Sequence, residues 1–181
     1  MAFGNVLQAQ YKAVPPGIQL DLGPTASIPF REHQFGLKGG TKFYIGRVGF
    51  YIGMDAIYAK GSTKSTWPNV GSYRYNTTSS ILSPLIGYTL YRTERYNLRL
   101  SLKCNFIKTE TQLSTDYPTL KNYLIENYAL THTNVGGSMH FLYRVTPNVG
   151  CFAELTYLKT GPQNERALFG LGITYNILNL H

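Results

Sequence analysis

The chain has 181 residues, 43% of them hydrophobic and 14% aromatic, which suffices for one domain with a sizeable core. Its formal net charge is +8, yet Lys and Arg are scattered: no basic run and no nucleic-acid motif appears, and no stretch reads as a membrane-spanning helix. A mean hydropathy of -0.17 is what apolar and polar residues leave behind when they alternate along strands.

Residues 1–17, with Pro15 and Pro16, read as an irregular lead-in. They carry no basic n-region and no long apolar h-region, so we expect a mature or re-engineered start, with Leu7-Gln8-Ala9-Gln10 as the remnant of a cleavage region. The first strand is expected over residues 18–30, where Ile18, Leu20, Leu22, Ala26 and Ile28 alternate with Gln19, Asp21, Gly23, Thr25 and Ser27. After a turn at 31–34 comes a second strand over 35–45. Gly46-Arg47 then reads as a two-residue hairpin turn into a third strand over 48–60. Residues 61–77, which hold the single Trp67, read as a long polar loop. A fourth strand is expected over 79–91 and, after a turn at 92–96, a fifth over 97–108, followed by a second long loop over 110–128.

The last third is the most regular. Thr131, Thr133, Val135, Gly137, Met139, Phe141, Tyr143 and Val145 alternate with His132, Asn134, Gly136, Ser138, His140, Leu142 and Arg144. Thr146-Pro147-Asn148 makes a tight turn into a strand over 149–159, and a final strand follows over 167–177. Strands this long exceed the usual globular mode of about 5 to 6 residues, whereas a tilted strand crossing a bilayer needs roughly 9 to 11. The expected fold is therefore all-β: an eight-stranded antiparallel up-and-down transmembrane β-barrel over residues 18–181.

Two further patterns agree with a barrel in a membrane. Connections after the second, fourth and sixth strands are short, and those after the third and fifth are long, which puts both termini at the short-turn, periplasmic side. Outward aromatics form two belts, with Phe30, Phe35, Tyr58, Phe106, Tyr157 and Phe169 toward the loop end and Phe43, Phe50, Tyr88, Phe141, Tyr143 and Tyr175 toward the turn end. Pro24 and Pro84 fall in mid-strand, where each should mark a bulge. Cys104 and Cys151 face outward on non-adjacent strands and should be free thiols.

The inner face holds Asp21, Lys38, Lys42, Asp55, Arg99, Lys103, His132, His140, Arg144 and Glu154. Eight strands leave an interior only just filled by side chains, so these charges should pair into a plug rather than line a channel. Counting across the Gly46-Arg47 turn puts Asp55 opposite Lys38, and counting across Thr146 to Asn148 puts Glu154 near Ser138 and His140. Lys60, Lys108 and Lys159 each end a strand two residues after a belt aromatic; lipopolysaccharide phosphates are the partner expected of such a lipid-phosphate ring. Trp67, Tyr73, Tyr75, Tyr117 and Tyr123 are the candidate loop contacts to an external partner. The histidines at 33, 132, 140 and 181 share no ligand spacing, and neither a metal nor another cofactor is expected.

The strand count, the alternating loop lengths and the closing Gly-Ile-Thr-Tyr-Asn-Ile resemble the small outer-membrane barrels of the OmpX-like and outer-membrane protein A type. Gly170, Ile173 and Tyr175 resemble the terminal-strand signal read by the barrel-assembly machinery, although Leu168 stands where a polar residue is usual. The resemblance implies a non-enzymatic structural, adhesive or interaction barrel, working alone or as a subunit of a larger outer-membrane complex. One competing reading is a lipid A-modifying barrel enzyme, for which Ser138, His140 and Glu154 would be the Ser-His-acid set and His132-Thr133-Asn134 an imperfect His-x-Ser. A second is a soluble lipocalin-like pocket, whose mouths the aromatic belts would crowd.

Overall fold

The period-two alternation closes into a cylinder. The computed structural model describes residues 17–28, 34–45, 49–67, 71–115, 127–159 and 165–179. Eight antiparallel strands, β1 (Gly17–Ile28), β2 (Gln34–Ile45), β3 (Phe50–Trp67), β4 (Gly71–Arg92), β5 (Tyr96–Thr115), β6 (Asn127–Arg144), β7 (Val149–Lys159) and β8 (Glu165–Asn179), pair in sequence order, and β8 pairs back to β1. Closure removes every edge within the barrel.

The distribution of side chains is inverted relative to a soluble protein. Leu22, Leu102 and Val135 on the outer face are 67%, 64% and 70% exposed, whereas Asp55 and Asn105 inside are 0% exposed. Large apolar residues normally fill a core and charges stay outside, so an apolar exterior over a charged interior is the arrangement for lipid.

Inside, polar and apolar residues are layered. Ile57, Ile81, Ile107, Leu158 and Leu168 form an apolar cluster on the loop side of the charges, and Tyr44, Tyr51 and Leu85 form another on the turn side. Glycines let the wall close around this filling. A Cβ on Gly172 would run into the Leu22 carbonyl and the Phe152 ring, and one on Gly23 into the backbone of Leu171, so both sides of the β1–β8 seam need bare Cα atoms.

Several sequence expectations are corrected. Ile45 pairs with Phe50, so β2 and β3 are joined by four residues instead of two, and Gly49 in this connection takes φ +84°, a conformation glycine adopts without strain. The slip of two residues puts Asp55 opposite Gly40, not Lys38, and keeps it on the inner face because a two-residue shift preserves the facing of every side chain. Within 61–77 the described residues are strand, not loop: β3 and β4 stay paired up to Trp67 opposite Gly71. Both ends of 110–128 are likewise strand, since β5 continues to Thr115 and β6 starts at Asn127. Neither proline makes a bulge. The ladder simply loses contact beside Pro24 on the β8 side and beside Pro84 on the β5 side with the register unchanged, because a missing N–H removes a bond without adding a residue. The bulges lie instead at Ile18/Gln19 and Thr89/Tyr91, near the turn-end rim.

Candidate functional site

The lumen decides whether anything passes through the barrel. Lys38 (β2), Asp55 (β3), Lys103 (β5) and Glu154 (β7) meet in a ring of alternating charge. Lys103 Nζ lies 2.6 Å from Asp55 and 2.5 Å from Glu154, and Lys38 lies 3.0 Å from Asp55 and also contacts Glu154. A second group forms around Asp21, which pairs with Lys42, accepts bonds from Thr174 Oγ1 at 2.6 Å and Gln19 Nε2 at 2.7 Å, and has His140 Nε2 3.4 Å away. Arg99 has a different partner type: it donates to Gln19 at 2.9 Å and lies over the Tyr44 ring, 5.1 Å from its centroid. Pairing of the lysines with the carboxylates is what such burial demands, since breaking such a pair from one side would cost several kcal/mol, of order 3 to 5.

His132 and Arg144 depart from the other inner-face charges. Both are only half-buried, His132 opposite Ile107 in the upper part of β6 and Arg144 at the turn-end rim. Glu154 lies directly opposite His140, as the turn count expects. No Ser-His-acid relay results. The Ser138 hydroxyl pairs with Ser101 at 2.6 Å, Glu154 is held by two lysines, and the His140 ring stacks on Phe152 with centroids 5.1 Å apart. His132-Thr133-Asn134 keeps its outer residue, Thr133, exposed while His132 and Asn134 point inward. No cluster of three metal-ligating side chains occurs among the described residues.

The loop end is asymmetric. β3 to β6 have 18, 22, 20 and 18 residues, whereas β1, β2, β7 and β8 have 12, 12, 11 and 15. A bilayer takes roughly 9 to 11 residues of tilted strand, so β4 has about ten to spare, or roughly 30 Å of sheet rising past the membrane. The concave side of this wall carries Tyr73, Tyr75, Leu113 and Tyr128 among threonines. Tyr75 pairs with Thr63 and Leu113, and the Tyr73 and Tyr75 rings meet edge to face at 5.5 Å. Partial burial, then the neighbouring Tyr73 and Tyr128, raise the Tyr75 hydroxyl above its ordinary pKa. Tyr73 and Tyr75 are thus strand residues, not loop residues. Trp67 ends β3 and is described in backbone only, and Tyr117 and Tyr123 lie outside the described residues.

The convex side is basic. Lys60 stands opposite Thr78 and Lys108 opposite Ser80, so the two lysines flank β4. The Lys60 ammonium lies 5.6 Å from the centroid of Tyr58, and Lys108 pairs with Glu110 at 2.7 Å with both exposed. Lys159 is separate, at the end of β7, and is described in backbone only. One strand-turn higher, Lys64 and Arg74 are paired directly across β3 and β4, an opposition of like charges that sequence reading passed over because it took the segment for a loop. Also passed over were the apolar inner clusters, although Tyr44, Tyr51 and Ile57 already share strand parity with Lys42 and Asp55.

Below this rim the aromatic belts are on the surface. Phe35, Tyr58, Phe106, Tyr157 and Phe169 are exposed on the loop side, and Phe43, Phe50, Phe141 and Tyr175 on the turn side. Tyr88 and Tyr143 are half-buried, Tyr96 joins them by packing on Phe141 and Tyr143, and Phe30 lies outside the described residues. Cys151 is an exposed free thiol and Cys104 a partly exposed one.

Solved structures of small outer-membrane barrels superpose on this chain over nearly their whole length. Ail, the attachment invasion locus protein of Yersinia pestis, matches with a TM-score of 0.58 at 11% identity, over 89% of this chain and 99% of its own. The fold is that of the small transmembrane β-barrels of bacterial outer membranes. Neisserial surface protein A matches with 0.54 at 13% identity, covering 88% of this chain and 96% of its own. The N-terminal β-barrel domain of Pseudomonas aeruginosa OprF matches with 0.53 at 13% identity, covering 90% and 99%. No protein-family model matches the sequence, and no curated protein matches it. Identities this low establish a shared outer-membrane barrel architecture and leave the role to be argued from the site.

Proposed function

We propose that this outer-membrane barrel works without catalysis, as a structural and interaction protein that holds a rigid β-wall outside the cell, with its termini in the periplasm. The observation that carries the reading is the mismatch of strand lengths. Among the described residues β3 to β6 run 18 to 22 residues against 11 to 15 for the other four strands, and they do so as paired strands, so the projection is a continuation of the barrel and moves with it. Its concave face offers large rings at little entropic cost, Tyr73 and Tyr75 foremost, which suits contact with another macromolecule. The lumen supports the same reading from the other side. Its lysines and carboxylates neutralise one another, Arg99 is held by Gln19 and Tyr44, and apolar clusters lie on both sides of them, so solute passage is not what the interior is built for.

The test is site-specific photocrosslinking on living cells. A photoreactive phenylalanine at position 73 or 75 should give adducts with an external macromolecule, and one at the lumenal position 51 should give none. Adducts absent at 73 and 75, or a changed lipid A mass in cells that express the protein, would contradict the proposal.

A further inference from the structure

Two troughs on the lipid-facing surface of the described residues differ in one respect. The larger, 690 Å3 around Ile86, Leu102 and Gly137, has no charged residue on its lining, so it can hold a hydrocarbon chain but cannot select a headgroup. The smaller, 450 Å3, arises because Ala56 on β3 and Ser80 on β4 are short residues set among Leu37, Leu82 and Phe106, with Tyr58 and Lys108 in its lining.

Register extends the polar end of this smaller trough. Tyr58, Ser80 and Lys108 stand in one row across β3, β4 and β5, and Lys60 follows two residues further up β3. Above them Lys64 and Arg74 face each other across the same two strands. The convex face of β3 to β5 thus gathers four cations, all exposed, against Glu110. Like charges set directly opposite each other destabilise a ladder, so this patch is incomplete without an anion. The Lys108–Glu110 pair does not supply it, because an exposed, solvent-screened pair is weak and yields readily to a phosphate.

We propose that this trough and its cationic rim form a binding site for lipid A, the multiply phosphorylated, multiply acylated lipid of the outer leaflet. One acyl chain lies along Leu37, Ala56, Ser80 and Leu82. The phosphates meet Lys60 and Lys108, and the outer sugars or further phosphates meet Lys64 and Arg74. Several cations spread along three strands fit a headgroup with more than one phosphate better than they fit a single phosphodiester. The site rests on the reading of the chain as an outer-membrane barrel with its loop end outside.

The probe is purified lipid A, offered to the detergent-solubilised full chain in competition with phosphatidylglycerol, with retained lipid counted by native mass spectrometry. Wild type should retain lipid A over phosphatidylglycerol. Lys60→Gln with Lys108→Gln should lose about 30-fold in retention, the factor two surface lysines contribute against anionic lipid. Ser80→Leu, which fills the trough and leaves every charge in place, should also lower retention. Equal retention by wild type and both variants, or equal retention of the two lipids, would overturn the site. Unboiled gel mobility is read on every sample. A wild type that shows no compact, heat-sensitive form would overturn the barrel reading itself, whereas compact variants with unchanged lipid retention would overturn the lipid A site alone.

Discussion

Replacing Glu154 by Gln tests the lumen most sharply. Glu154 is buried, its side chain 2% exposed, and its carboxylate contacts both Lys38 and Lys103. The amide keeps the shape and removes the charge, leaving two buried ammonium groups to share Asp55, at 3.0 Å and 2.6 Å. Breaking a buried pair from one side costs about 3 to 5 kcal/mol, because the remaining charge is left uncompensated. Lys103→Met should cost a similar amount by leaving two carboxylates to Lys38. The double variant restores neutrality as a Lys38–Asp55 pair, so its cost should fall short of the sum by about 2 to 3 kcal/mol. Urea unfolding in lipid micelles, followed by the fraction migrating as folded barrel and extrapolated to zero urea, measures all three. A Glu154→Gln cost under about 0.5 kcal/mol with an additive double variant would refute the reasoning, since it would mean a hydrated, screened lumen.

Other outcomes follow from the same geometry. Leu102→Arg, on the lipid face, should destabilise the barrel by about 2 to 4 kcal/mol in a bilayer, whereas Gln112→Arg on the projecting wall should change it by less than about 0.5 kcal/mol; equal effects would mean the outer surface does not sit in lipid. Gly172→Ala should weaken the β1–β8 seam by about 1 to 3 kcal/mol, because its methyl group meets the Leu22 carbonyl and Phe152, and the measured loss should appear as early opening in the urea titration. Wild type in a planar bilayer should show no steady conductance above the bare membrane; a stable ohmic pore would contradict the filled interior.

The barrel was legible because its code is simple. Where one face meets lipid and the other meets charge, as from Met139 to Arg144, alternation is unmistakable and gave strand, facing and partner together. Above the membrane the contrast disappears. Ser62, Thr63, Lys64, Ser65 and Thr66 are polar on both faces, so period two leaves no trace even though the ladder continues through them. The hairpin count erred by two at Gly46-Arg47 because a two-residue and a four-residue connection give identical facing, and only the pairing of Ile45 with Phe50 separates them. The inner-face residues could be enumerated, and turn counting brought Lys38 to Asp55, which meet at 3.0 Å, and Glu154 to His140, whereas partners on distant strands could not be read. Lys38 and Glu154 lie on β2 and β7, and which charges meet across a barrel depends on its stagger, which parity along a single strand does not encode.

Heat-modifiability tests the central claim most directly: the purified chain in detergent is run on a gel boiled and unboiled, beside a preparation made without detergent. A closed barrel with a lipid-facing exterior predicts a compact band that shifts on boiling and forms only in detergent or lipid. A chain that is soluble without detergent and runs identically before and after boiling would contradict it.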